Sequence, residues 1–84
     1  DIQSNALKQS HKEALKMGEE KLETVDVNLR DFSSETMAID IKKIPEAKTI
    51  IREFREKMTA LLKDGDKTEV FQMAIQFYPL TPIT

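Results

Sequence analysis

The sequence predicts a small α/β (α+β) domain, an N-terminal helix followed by a β-α-β unit whose small sheet carries the helices on one face. Three observations lead there. From Glu69 to Leu80, Phe71, Met73, Ile75 and Phe77 alternate with Val70, Gln72, Ala74, Gln76 and Tyr78, the period of a strand with one buried face. Thr36 to Ile41 alternates in the same way. Between them, Ile44 to Lys63 carries apolar residues at helical spacing.

The first predicted helix runs from Ser4 to Leu22. Leu7, His11, Ala14, Leu15, Gly18 and Leu22 recur at helical spacing and mark one face. Ser4 or Asn5 offers a side-chain cap. Lys8, Lys12 and Lys16 form a like-charge stripe on another face, which weakens an isolated helix slightly. Gly18 costs about 1 kcal/mol relative to Ala inside a helix, and its place there suits close approach of another backbone. Thr24 to Asp31 follows. Val25, Val27 and Leu29 alternate with Asp26 and Asn28, but Asp and Asn are poor strand formers, so the stretch reads as an ordered loop.

Ser33 and Ser34 are turn residues before the first predicted strand, Thr36 to Ile41. Met37, Ile39 and Ile41 fall on one of its faces; Thr36, Ala38 and Asp40 fall on the other. In the second helix, Ile44, Ala47, Ile51, Phe54, Met58 and Leu61 are spaced three, four, three, four, three, an apolar stripe along one side. Pro45 suits the first turn and Glu46 complements the positive end of the helix dipole. Asp64-Gly65-Asp66 ends it, with Gly65 the natural left-handed residue. The second strand then runs to Pro79. If the two strands are neighbours their crossover is right-handed and the pair parallel. Two strands make a poor sheet, so a partner subunit is one way to complete it.

The composition excludes several function classes. At 84 residues the chain is one domain with a modest core. No cysteine and a single histidine leave no zinc site and no disulfide framework, so oligomerisation or docking on the rest of a longer polypeptide is the remaining source of stability. No apolar run approaches the ~20 residues of a membrane span. The 13 basic and 15 acidic residues are interspersed and sum to a net charge of -2, which disfavours direct nucleic-acid contact. The chain opens on Asp1 inside a predicted helix, and reads as a piece of a longer protein.

No catalytic constellation is visible. His11 has no partner at metal-ligand spacing and reads as a residue at the edge of a helix face. Ser33, Ser34 and Thr36 lack both a nucleophile elbow and a base. Two glycines cannot build a phosphate loop or a dinucleotide fingerprint. Arg30 pairs locally with Asp31 or braces its loop, and with Ser33 and Ser34 it is a candidate anion or effector site. The Gln72, Gln76 and Tyr78 face is semi-polar and uncharged where an exposed strand usually carries Lys or Glu. It is the candidate interface. No catalytic, cofactor-binding or metal residue is assigned.

Three stretches carry a resemblance: Arg30-Asp31-Phe32-Ser33-Ser34-Glu35-Thr36-Met37-Ala38-Ile39, Ile44-Pro45-Glu46-Ala47-Lys48, and Val70 through Phe77-Tyr78-Pro79-Leu80-Thr81. With His11-Lys12-Glu13 they resemble a paralogous bacterial family expanded in predatory and fibre-degrading bacteria. Its members resemble transcriptional regulators with a winged-helix-type N-terminal half and a C-terminal domain of unknown function. The Gln-x-x-x-Gln-Phe-x-Pro-Leu-Thr ending is the most specific part, while Val25 to Leu29 departs from a stretch that is usually rich in Pro and Glu. The resemblance implies that residues 1–84 are a single C-terminal regulatory or dimerisation domain of a cytoplasmic regulator. Its partners would be a second copy and the protein's own N-terminal DNA-binding domain. It implies no enzyme and no cofactor. A small-molecule effector domain is the alternative, with Arg30, Ser33, Ser34 and Gln72 the residues to inspect.

Overall fold

The structure, a computed structural model, describes residues 2–83. It is helical. Helix α1 spans Ile2–Thr24 and helix α2 spans Ile44–Leu62, with short 3-10 turns at Val27–Leu29 and Ile41–Lys43. No described residue belongs to a strand, which overturns the α/β reading with its β-α-β sheet. The physical reason lies in where each element finds its hydrogen bonds. A helix closes its bonds within four residues, whereas a strand exists only when another strand accepts its ladder. Thr36–Asp40 and Glu69–Pro79 belong to neither helix nor strand, and Ile41 opens the 3-10 turn before α2 instead of closing a strand.

The chain divides into two compact units. One comprises the residues up to Ser34 together with those from Gln72 onward; the other comprises Glu35–Phe71. In the first unit, α1 extends two residues beyond the predicted helix at each end. Thr24 Oγ1 donates to the Glu20 carbonyl at 3.2 Å, and Val25 N–H continues the ladder to Lys21 O at 3.0 Å. The stretch after α1 is ordered, as expected, and holds a single 3-10 turn. Asp26 caps it, its carboxylate accepting the Asn28 N–H at 2.8 Å, while Leu29 N–H donates to Asp26 O at 2.9 Å.

The predicted apolar face of α1 is only partly covered. Ala14 and Gly18 are half-buried, one turn apart, whereas Leu7, Leu15 and Leu22 stay exposed. What approaches Gly18 is a ring rather than a backbone. A Cβ on Gly18 would lie 3.7 Å from Phe32 Cε2, an ordinary contact. Gly18→Ala is therefore expected to fit, to gain helix propensity and to raise stability by about 0.5–1 kcal/mol. The midpoint of chemical denaturation measures it.

In the second unit, Asp40 is a cap rather than a strand residue. Its carboxylate accepts Lys42 N–H at 3.0 Å and its carbonyl accepts Lys43 N–H at 2.9 Å, closing the turn that leads into α2. Pro45 sits in the first turn of α2 with Glu46 beside it. Thr49 and Thr59 each return a hydroxyl bond to the carbonyl four residues back, at 3.1 and 3.0 Å. Of the predicted stripe, Ile44, Ala47, Ile51 and Met58 are half-buried; Phe54 and Leu61 are exposed.

Lys63 caps α2 through its N–H to Thr59 O at 3.0 Å, and Gly65 turns the chain at φ +89°. No atom crowds Gly65, so backbone strain alone decides a substitution there. Gly65→Ala is expected to cost about 1–2 kcal/mol. Thermal unfolding checks this, and an unchanged midpoint would sink it.

Candidate functional site

The best-built corner of the molecule lies in the first unit, where α1 ends. Asp26 caps the 3-10 turn, the turn reverses the chain, and the chain then carries Arg30 and Phe32 back to α1. Arg30 is half-buried. Its Nε–H donates to the Val25 carbonyl at 3.0 Å, and its guanidinium carbon stands 5.7 Å from the centroid of the Phe32 ring. That is cation–π range. Of the two local roles open to Arg30, the brace is the one formed, with Val25 and Phe32 as the groups it holds.

This placement weighs on the effector candidates. Arg30 faces Val25 and Phe32, while Ser33 and Ser34 are exposed and outside any helix. A surface depression runs along α1, between Glu13, Lys16, Met17, Glu19, Glu20 and Glu23. Four carboxylates against one ammonium give that depression a field that repels anions. His11 is exposed on α1. Among the described residues no three His, Cys, Asp or Glu are grouped as a metal ion requires.

The interface candidates lie in the C-terminal stretch. Gln72, Gln76 and Tyr78 are all exposed. Met73, Ile75 and Phe77 are exposed at 43, 41 and 47 %, whereas Val70 is fully open at 101 %. Phe71, on the predicted inward face with Met73, Ile75 and Phe77, is 71 % exposed and Tyr78 on the other is 69 % exposed, so the buried strand face expected from the alternation is not formed. Sequence reasoning offered a loop brace for Arg30 but missed Phe32 as its partner, whose only signal was an Arg two residues from an aromatic.

Exposure extends well beyond this stretch. No described residue is fully buried, and the exposed set includes Leu15, Phe32, Ile39, Phe54, Phe71 and Leu80. Among the described residues no helix is long and apolar enough to cross a membrane. The profile of a family described as a domain of unknown function (DUF4423) matches residues 1–80. No curated protein matches the chain, and no solved structure does.

Proposed function

The chain belongs to the DUF4423 family of domains of unknown function, and from that premise we propose that it is a non-catalytic association domain that pairs two copies of a longer, DNA-binding transcriptional regulator. One observation carries the pairing. No described residue is fully buried, and large apolar side chains such as Leu15, Phe54, Phe71 and Leu80 stand exposed, the kind of apolar surface that marks an association site. With no cysteine to staple the fold and no grouped metal ligands among the described residues, association is the remedy that remains for a small domain.

The regulator assignment is supported by the resemblance carried by the Arg30–Ile39 and Val70–Thr81 motifs. A symmetric pair would fix the distance between two N-terminal DNA-binding units, and so the spacing of the half-sites they read. Such a regulator works in the cytoplasm. The interspersed charge of this domain supports leaving DNA contact to the N-terminal units. The effector-sensing alternative has less behind it, because Arg30 is engaged by Val25 and Phe32 and the depression on α1 is acidic.

Sedimentation of the intact protein across a wide concentration range tests the reading. A reversible monomer–dimer equilibrium, or a dimer throughout, is the expected result. A strict monomer at the highest concentration overturns it.

A further inference from the structure

The apolar stripe of α2 repeats every seven residues. Ile44, Ile51 and Met58 recur seven apart, and so do Ala47, Phe54 and Leu61. The stripe is at most half-covered. Ile44, Ala47, Ile51 and Met58 are half-buried, Phe54 and Leu61 stay 49 and 69 % exposed, and Leu62 beside them is 60 % exposed. We infer that α2 pairs in parallel with α2 of a second copy of this chain, as a two-stranded coiled coil along a two-fold axis. The inference rests on the association reading above and names the surface and arrangement that would serve it. That surface lies wholly in the second unit, whereas Gln72, Gln76 and Tyr78 belong to the first.

The composition of the seam points to a second copy as the occupant. A seven-residue repeat with β-branched residues at its first position and leucine at its fourth favours two parallel strands. Ile44 and Ile51 hold the first position here, with Met58 after them, and Leu61 holds the fourth after Ala47 and Phe54. None of the six is polar. A two-fold axis sets each residue against its own counterpart, so the contact must be self-complementary. Ile51 would meet the partner's Ile51, and Phe54 the partner's Phe54. The 19 residues of α2 span about 28 Å, nearly three such repeats.

Charge selects the direction. Glu46 and Glu53 lie on one flank of the stripe, Lys48 and Arg55 on the other. A parallel pair lays each flank beside the opposite flank of its partner, so carboxylates approach cations on both sides of the seam. An antiparallel pair lays like beside like, with the Lys48 and Arg55 flank against itself, which is unfavourable. Lys57 is the exception on the acidic flank. It follows Glu53 by four residues, in the favourable orientation for a pair within the helix, and in the parallel pair it faces the partner's Leu62 rather than a cation.

Because the chain has no cysteine, single thiols read the arrangement in the intact protein. Helix axes 8–10 Å apart bring a seam residue's Cα within about 6 Å of its counterpart, inside disulfide range. Ala47→Cys, a small change on the seam, is expected to give a disulfide-linked dimer under mild oxidation. Ala60→Cys, on the far side of α2, is expected to give none. In an antiparallel pair Ala47 would lie opposite the partner's Met58 and about 16 Å along the axis from its counterpart, so a bridge at position 47 excludes that arrangement. Leu61→Lys, at an exposed seam position, is expected to weaken self-association at least tenfold with helix content unchanged. A dimer by sedimentation with no bridge at position 47 removes the helix pair and leaves the association reading standing. Equal bridging at positions 47 and 60, or association unmoved by Leu61→Lys, does the same. A strict monomer removes both.

Discussion

Replacing Gln72 and Gln76 together by lysine is expected to weaken self-association by about tenfold or more. The two amides belong to the uncharged run from Val70 onward that holds the candidate interface, and the added charges must be desolvated or brought near one another where two copies meet. A decade in the dissociation constant corresponds to roughly 1.4 kcal/mol. Added salt should recover part of the loss, since screening acts over about 8–10 Å. Sedimentation equilibrium at two ionic strengths reads all of this. An unchanged dissociation constant would show that Gln72 and Gln76 lie outside the interface.

The second large effect is expected at Arg30. Arg30→Ala removes the Nε–H bond to the Val25 carbonyl and the guanidinium over the Phe32 ring. Bonds to charged groups are worth about 1.5–3 kcal/mol, and an exposed cation–π contact about 0.5–1 kcal/mol. Arg30 is half-buried and each truncation relaxes, so a loss of about 1–3 kcal/mol is expected in the first unit. Arg30→Lys should recover little, because an ammonium at the end of a longer stem cannot donate from the Nε position while lying over the ring. Amide exchange between Val25 and Phe32 locates the effect. If Arg30 were an effector ligand instead, its loss would leave this exchange unchanged and alter only a ligand response.

The legibility of the chain divides along the range of its hydrogen bonds. The second helix was fully readable. Ile44 opens it, Pro45 and Glu46 occupy its first turn, and Gly65 takes the positive φ just beyond its end. The turn after α1 was read as ordered, and Asp26, poor in a strand, is the side chain that caps it. Asp40 shows the same rule working against the strand reading. It was assigned to a strand face, yet a short polar side chain next to two free N–H groups serves better as a cap.

The alternating stretches show the limit. Alternation in Thr36–Ile41 and Glu69–Leu80 predicts which side chains would share a face of a strand, yet Phe71, Met73, Ile75 and Phe77 all stay exposed, at 71, 43, 41 and 47 %. It does not determine whether a ladder forms, since the partner's backbone is not encoded in the stretch. Arg30 is a similar case. The residue was a candidate by type, and only the chain reversal that brings Val25 and Phe32 to it made it a brace. The sequence by itself determined the two helices and the start and stop of α2, because those follow from bonds and sterics within a few residues. The absence of strands among the described residues, and the fate of Arg30, were decided only in three dimensions, where distant backbone and side-chain groups either meet or do not.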